Sequence, residues 1–215
     1  MGGHAAEQMT AAAPDFPPNA FTRVDEGDDA DFYAPPRLVT HIDDNAIAAM
    51  TDFYRKLLPP NAILLNLMSS WVSHLPDDLP TAEVIGHGMN TQELAANPRL
   101  TRWFIQDLNR DPILPLTDAS VDAALCCVSV QYLQKPVEVF ADVRRLLRPD
   151  APFIVSYSNR CFPTKAVAIW RALGPEQHAG LVRLYFERAG FPRIDVRVLA
   201  DGMWSDLLVA VVGYA

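Results

Sequence analysis

The sequence predicts an α/β protein with a Rossmann-like three-layer sandwich, in which a mostly parallel seven-stranded sheet ends in an antiparallel strand pair. Three observations predict this fold. Residues 104–155 have the pattern of strand, loop, strand, helix and strand, earlier apolar runs alternate with helical segments, and a short polar connection separates the last two strand-like runs. Because a parallel crossover needs about a dozen residues, those last two strands must pair antiparallel.

The size and charge of the chain limit its function. At 215 residues it has the size of one α/β domain, and such a chain buries roughly 70% of its unfolded surface. It carries 26 Asp and Glu against 18 Lys and Arg, a net charge of −8. Binding to polyanions needs clustered basic residues, so nucleic acid and anionic membranes are not expected as partners. Neither a membrane-spanning run nor a signal peptide is recognised.

The first 36 residues are interpreted as an N-terminal arm, largely irregular, before a single domain over residues 37–215. The arm is rich in Ala, Pro and Asp, and its acidic run over residues 25–31 offers little apolar surface to bury. The opening MGGHAAEQ is interpreted as a remnant of expression, with Met9 as a candidate native start.

Capping residues predict where the first two helices begin. Apolar residues recur at helical spacing after Asp43 or Asp44, either of which suits an N-cap, until a Pro-Pro pair ends the helix. A short helix is predicted to open at Asn90, with Glu93 three residues later as its reciprocal partner. The remaining helices are predicted at Pro136–Leu147, Pro163–Leu173 and Pro175–Ala189.

The predicted strands are short apolar runs bounded by turn residues, as buried parallel strands are. They are Ala62–Leu67, Glu83–Gly86, Trp103–Gln106, Val121–Val128, Phe153–Tyr157 and the C-terminal runs RIDVRVLA and DLLVAVVGY. Ligands of such open sheets lie beyond the C-terminal ends of the strands, so the loops there are where site residues are expected.

Two segments carry a family resemblance. LPLTDASVDAAL resembles the "LPF.D.SFD.V" signature, and VFADVRRLLRPDAPFIV the "EV.RVLRPGG.FIV" signature, of the class I (seven-stranded), type 11-like S-adenosylmethionine-dependent methyltransferases. The resemblance implies S-adenosylmethionine as cofactor and methyl transfer to a small-molecule acceptor by in-line displacement. Alignment of donor and acceptor is the main demand of such a reaction.

The loop after the first strand departs from that family. The family has a strand ending in Asp followed by G-x-G-x-G, whereas this chain has ILLNLMSSWVSHLP, with Asn66 in place of the Asp. Ser69 and Ser70 are small, and their hydroxyls are predicted to donate to the carboxylate of the cofactor. The alternative is that these serines only cap the following turn.

The other cofactor contacts follow from the same resemblance. Gly88 stands where the family has an acidic residue that binds the ribose, and Asn90 is the nearest polar substitute, although its role as an N-cap competes. Asp107 stands where the family places an Asp that contacts adenine, with Leu108 supplying an apolar face. Two residues at strand ends complete the predicted cofactor site, Gly86 and Val128.

The acceptor is predicted to lie near Trp71, Tyr132, Asn159 and Arg160, with His74 as the general base if the acceptor carries a proton of high pKa. Core packing remains the alternative for the aromatic residues. Lys165 is either a further anion-binding group or solvated surface. By analogy with similar methyltransferases, a lid over the cofactor is predicted from Tyr33, Arg37 and His41.

Two alternatives to a methyltransferase remain open. The missing glycines are compatible with a non-catalytic or regulatory binding protein descended from the same fold. A nicotinamide-dependent oxidoreductase is disfavoured because neither G-x-G-x-x-G nor Tyr-x-x-x-Lys is present. No zinc-like spacing of His and Cys predicts a metal, and three Cys without a disulfide pattern favour the cytoplasm.

Overall fold

A computed structural model describes residues 15–215, which leaves MGGHAAEQ and Met9 outside the described residues. One sheet has the strand order β3-β2-β1-β4-β5-β7-β6. Its strands are β1 Ala62–Leu67, β2 Thr81–Gly88, β3 Arg102–Ile105, β4 Ala123–Cys127, β5 Pro152–Ser158, β6 Arg193–Ala200 and β7 Leu208–Tyr214. The first five pair in parallel, and β7 pairs antiparallel with β5 and β6. The predicted fold class is confirmed.

Six α-helices occur within the described residues. They are α1 Asp29–Tyr33, α2 Asp44–Leu57, α3 Thr91–Ala96, α4 Pro136–Leu146, α5 Ala168–Ala172 and α6 Pro175–Arg188. The side chain of Asp43 caps α2 by accepting from the Ala46 N–H, as the sequence predicts. Asn90 likewise caps α3 by accepting from the N–H groups of Gln92 and Glu93. None of these six helices is long and apolar enough to cross a membrane.

Two hydrophobic clusters cover the two faces of the sheet. On one face, aromatic and aliphatic residues of α4 and α6, including Phe140 and Phe186, pack on β4 and β5 residues such as Phe153. On the other face, Met50 and Tyr54 of α2 are fully buried against the sheet. The sheet is therefore the middle of three layers, and the C-terminal ends of its parallel strands share one edge.

The predicted helix Pro163–Leu173 is shorter in the structure, where only residues 168–172 are α-helical. The arm explains the difference. The Thr164 carbonyl accepts from the Asp25 N–H at 2.9 Å, and the Ala168 N–H donates to the Thr22 carbonyl at 2.7 Å. Backbone groups of this segment therefore bond the arm rather than a longer helix.

The arm packs on the rest of the chain through a buried charge cluster. Arg23 donates to both carboxylate oxygens of Asp29 at 2.8 Å, and Lys165 lies 3.1 Å from Asp29 and 3.2 Å from Asp25. Only 1% of the Lys165 surface is exposed. The expectation that Lys165 is solvated surface is therefore wrong, and the acidic arm supplies its anionic partners.

The connection from β1 to β2, residues 68–80, forms no helix. A helix that starts at a strand end offers free N–H groups and a positive dipole end to an anion. Residues 68–80 provide no such helix at the end of β1, so an anionic ligand group there needs other donors.

Candidate functional site

A cavity of about 390 Å³ lies at the C-terminal ends of the strands, between the loops after β1, β2, β3 and β4 and the segment of residues 33–41. Its lining includes ten of the predicted site residues: Asn66, Ser69, Ser70, His74, Asn90, Asp107, Leu108, Val128, Tyr132 and Arg160. It also includes the three predicted lid residues, Tyr33, Arg37 and His41. The topology thus brings together residues that are up to 127 positions apart.

Three predicted site residues lie outside this lining. Gly86 is inside β2, where an added Cβ would come 2.4 Å from the Leu100 side chain, so packing explains the glycine. The Trp71 indole N–H donates to the Val39 carbonyl at 3.0 Å, which ties the first loop to the segment before α2. Asn159 is exposed.

The loop after β1 turns sharply over the end of β2. Met68 has a φ of 53°, in the left-handed region that favours glycine. The turn brings the Ser69 carbonyl so close to Gly88 that a Cβ at residue 88 would lie 2.5 Å from it. Because the backbone of the loop fills this space, the end of β2 cannot carry the acidic side chain that the family resemblance implies.

His87 was not recognised from the sequence, yet it holds this turn in place. Its Nδ1 accepts from the Met68 N–H at 3.1 Å, and its Nε2 donates to the Gln106 carbonyl at 3.0 Å. Burial lowers the pKa of His87 to about 4, so the ring is neutral near pH 7. A polar residue within an apolar strand was the signal, because a buried imidazole needs partners on both nitrogens.

The serines of the loop bond to protein groups. Ser70 Oγ donates to Glu93 Oε2 at 2.6 Å. Ser73 Oγ accepts from Asn66 Nδ2 at 2.7 Å and from Asn97 Nδ2 at 2.9 Å. These bonds fasten residues 68–80 to α3 and to the end of β1.

Glu93 does not cap the backbone of Asn90, so the predicted reciprocal capping is wrong. Its Oε1 accepts instead from the backbone N–H of Arg37 at 2.6 Å. The Asn90 amide donates to the carbonyls of Tyr33 at 2.8 Å and Ala34 at 3.0 Å. The start of α3 therefore holds the segment of residues 33–41 across the cavity.

Asp107 lines the cavity at the end of β3. Its Oδ1 accepts from the Asn109 N–H at 2.9 Å, and Oδ2 lies 3.4 Å from Arg110 Nε. A carboxylate has about four lone-pair sites, so these contacts leave capacity for a ligand amine.

Two histidines line the cavity beside each other. The backbone of His74 is in the left-handed region, with a φ of 53°. Burial lowers the pKa of His41, and the opposing charges of Glu93, which raises it, and Arg37, which lowers it, leave the net shift downward. Burial and, to a smaller extent, the charge of His41 lower the pKa of His74. Both rings are therefore neutral near pH 7 and able to accept a proton.

The loop after β4 is strained. Val128 has a φ of 45°, a conformation that costs a non-glycine residue about 1–3 kcal/mol. The side chain of the buried Gln131 donates to the Val128 carbonyl at 2.9 Å and holds the turn. Strain of this kind occurs at binding sites where the surrounding structure fixes the backbone.

The far wall of the cavity is aromatic. The rings of Tyr132 and Phe162 stack with centroids 5.8 Å apart, and the Tyr132 hydroxyl accepts from the Phe162 N–H at 2.8 Å. Arg160 pairs with Asp206 at 2.8 Å. Residues 15–215 contain no group of three or more His, Cys, Asp or Glu placed to hold a metal ion.

Comparison with known proteins finds a family match for part of the chain. Residues 73–155 match the type 11 family model described as "Methyltransferase domain". The matched segment, less than half of the chain, therefore resembles a methyltransferase domain. The predicted family, enzyme class and cofactor are thereby confirmed. No curated protein sequence matches the chain.

Solved structures share the fold at low identity. An S-adenosylmethionine-dependent methyltransferase from Mesorhizobium loti is 18% identical, with a TM-score of 0.56 over 78% of this chain and 98% of its own. One from Archaeoglobus fulgidus is 11% identical, with a TM-score of 0.58 over 79% of this chain and 94% of its own. The [4+2]-cyclase SpnF is 13% identical, with a TM-score of 0.57 over 83% of this chain and 88% of its own.

The residues present fit S-adenosylmethionine. The cavity of about 390 Å³ falls within the roughly 300–1,000 Å³ of small-ligand sites. Its lining combines three carboxylates, Asp29, Glu93 and Asp107, with two arginines and apolar side chains, which suits a nucleoside that carries an amino acid. The fit differs from the family pattern at the amino-acid end, where the glycines and the helix start are missing.

Proposed function

We propose that this protein transfers a methyl group from S-adenosylmethionine to a small-molecule acceptor by in-line displacement. The bound cofactor supplies a methyl group on a sulfonium, a leaving group that needs no protonation. The protein therefore has to bind both partners, align them and exclude water. Its residues in the cavity are suited to these tasks.

Each wall of the cavity has a proposed role. Asp107 and Leu108 bind the adenine, and Asn66, Ser69, Ser70, Asn90 and Val128 shape the rest of the cofactor site. Tyr132 and Arg160 contact the acceptor. His74, kept neutral by burial, accepts the acceptor's proton where the reacting atom carries one. Gly86, Trp71 and Asn159 act indirectly in this proposal, through packing and loop position.

One observation carries the proposal of a small acceptor: the segment of residues 33–41 crosses the strand ends and is fastened there. Hydrogen bonds from Trp71 to Val39, from Asn90 to Tyr33 and from the Arg37 N–H to Glu93 hold it in place. A macromolecular acceptor would have to displace the segment of residues 33–41 to reach the cavity. The acidic charge of −8 also disfavours a nucleic-acid acceptor.

Two measurements test the proposal. Calorimetric titration with S-adenosylhomocysteine measures cofactor binding, and Asp107→Ala is expected to weaken it by more than about tenfold, or ~1.4 kcal/mol. Asp111→Ala, which removes a nearby carboxylate outside the cavity, is expected to bind normally. Methyl-labelled S-adenosylmethionine, incubated with the protein and a cell extract, is expected to label the low-molecular-mass fraction. Label confined to the protein fraction would contradict a small acceptor.

A second candidate is a non-catalytic or regulatory binding protein. The glycine-free first loop favours it, and the fold is shared by a protein named a [4+2]-cyclase, so the fold alone does not determine the reaction. Binding of S-adenosylhomocysteine without any methyl transfer would support this candidate.

We further propose that the protein works in the cytoplasm, with residues 1–36 as an arm on a single domain of residues 37–215. Its three cysteines, Cys126, Cys127 and Cys161, are free thiols, as a reducing compartment permits.

A further inference from the structure

We propose that Arg37 and Glu93 hold the amino-acid end of the cofactor, with the guanidinium bound to its carboxylate and the Glu93 carboxylate bound to its ammonium. The inference rests on the proposed use of S-adenosylmethionine. It assigns to the segment before α2 and to α3 the task that the glycine loop performs in the family that this chain resembles.

The first argument is the pairing of charges around the cavity. Asp29 pairs with Arg23, Asp107 lies beside Arg110, and Arg160 pairs with Asp206. Arg37 and Glu93 also line the cavity, and neither forms an ion pair with any residue between 15 and 215. A part-buried charge that lacks a counterion is stabilised when a ligand provides one.

The second argument is the position of the two groups. Glu93 accepts from the backbone N–H of Arg37 at 2.6 Å, so the two residues are neighbours, although their charged side chains are not paired. The Arg37 guanidinium lies 4.6 Å from the centroid of the Phe32 ring and donates to the Phe32 carbonyl at 2.9 Å. A guanidinium has five N–H donors, so donors remain for a carboxylate. The hydrogen bond from the Arg37 N–H to Glu93 and the shared cavity lining place the two residues on the same side of the cavity.

The third argument is that the elements the family uses at this end are missing. Residues 68–80 form no helix whose start could bind the carboxylate, and the Ser69 carbonyl occupies the space at Gly88. Ser70 donates its hydroxyl to Glu93 at 2.6 Å, which orients the carboxylate beside the first loop. The carboxylate of the cofactor can therefore bind Arg37 while its ammonium group binds Glu93. Each of the two side chains then has a partner of opposite charge.

The test separates the amino-acid end from the nucleoside. Calorimetry compares S-adenosylhomocysteine with 5′-methylthioadenosine, which has the same nucleoside but no amino acid. Arg37→Met and Glu93→Gln are each expected to weaken S-adenosylhomocysteine binding by about tenfold or more while changing 5′-methylthioadenosine binding by less than about twofold. Arg37→Lys keeps the charge without the planar fork and is expected to recover part of the lost affinity.

Matched controls come from α6, where Arg183 and Glu187 form an exposed pair outside the cavity. Arg183→Met and Glu187→Gln are expected to leave both affinities unchanged. Equal losses for both nucleosides in the Arg37 and Glu93 variants would overturn the inference, because the residues would then contact the ribose or hold the fold. Retained 5′-methylthioadenosine binding shows that a variant is folded. If the wild-type chain binds neither nucleoside, the proposed function itself fails.

Discussion

Two parts of the sheet relate differently to the methyltransferase family. The signature part, residues 104–155, contains both segments that carry the resemblance, and the matched region ends with it. The first-loop part, residues 62–93, contains β1, its loop and β2, and the matched region begins only at residue 73. The first-loop part provides more of the cavity lining, so the family pattern is weakest where the ligand would bind.

The signature residues hold the fold together. The buried Asp142 accepts from the Leu114 N–H at 2.8 Å and from Arg145 Nε at 2.7 Å. Arg145 in turn donates to the Leu116 carbonyl at 3.0 Å, which fixes the loop before β4 onto α4. None of these residues lines the cavity. A sequence signature can therefore identify a fold through its scaffold while the binding loops change, which is why fold and function need separate tests.

The largest effect is expected from Asp142→Ala in the signature part. The change leaves the buried Leu114 N–H without an acceptor and removes a charged hydrogen bond from Arg145, at a cost of about 3 kcal/mol. Denaturant unfolding measures the loss. Asp118→Ala is the control, because it removes the exposed partner of the same arginine, and it is expected to cost less than about 1 kcal/mol. Equal costs would show that these signature contacts do not stabilise the fold.

Local patterns predicted the elements well, because their causes lie within a few residues. The N-caps at Asp43 and Asn90 and the helix start at Pro136 are examples, since a cap depends on residues two or three positions away. The antiparallel C-terminal pair followed from the length of the connection.

Contacts between distant residues were not predictable from those patterns. The acidic run of the arm was expected to offer little apolar surface to bury, but Asp29 is buried and meets Lys165, 136 positions later. Glu93 was expected to cap its own helix, but the Arg37 N–H and the Ser70 hydroxyl compete for its oxygens. Both outcomes depend on which loops the sheet brings together, and short-range periodicity carries no information about that.

The next largest effect is expected at Gly88 in the first-loop part. Gly88→Ala places a Cβ 2.5 Å from the Ser69 carbonyl, and overpacking of this kind costs about 1–3 kcal/mol. The change therefore moves toward the side chain that the family carries, yet it is expected to destabilise the chain and weaken S-adenosylhomocysteine binding. Gly180→Ala in α6 has open space around its Cβ and is expected to stabilise by roughly 0.5–1 kcal/mol. Unfolding and calorimetry on both variants check this. Unchanged stability and binding in Gly88→Ala would mean that the loop after β1 moves away from the added Cβ at little energetic cost.

The smallest effect is expected from Met68→Gly, which restores a glycine to the first loop. Met68 has a φ of 53°, and a left-handed conformation costs an ordinary residue about 1–2 kcal/mol, so glycine relieves strain. The loss of a part-buried side chain offsets most of this gain, and the net change in unfolding free energy is expected to stay below about 1 kcal/mol. Ala119→Gly in the signature part is the control, since Ala119 has a φ of 48° and an exposed side chain. Ala119→Gly relieves the backbone strain without removing a part-buried side chain, so it is expected to stabilise the fold more than Met68→Gly does. If Met68→Gly raises the unfolding free energy more than Ala119→Gly does, the Met68 side chain contributes little to packing. The absence of glycine from the first loop would then bring no stability.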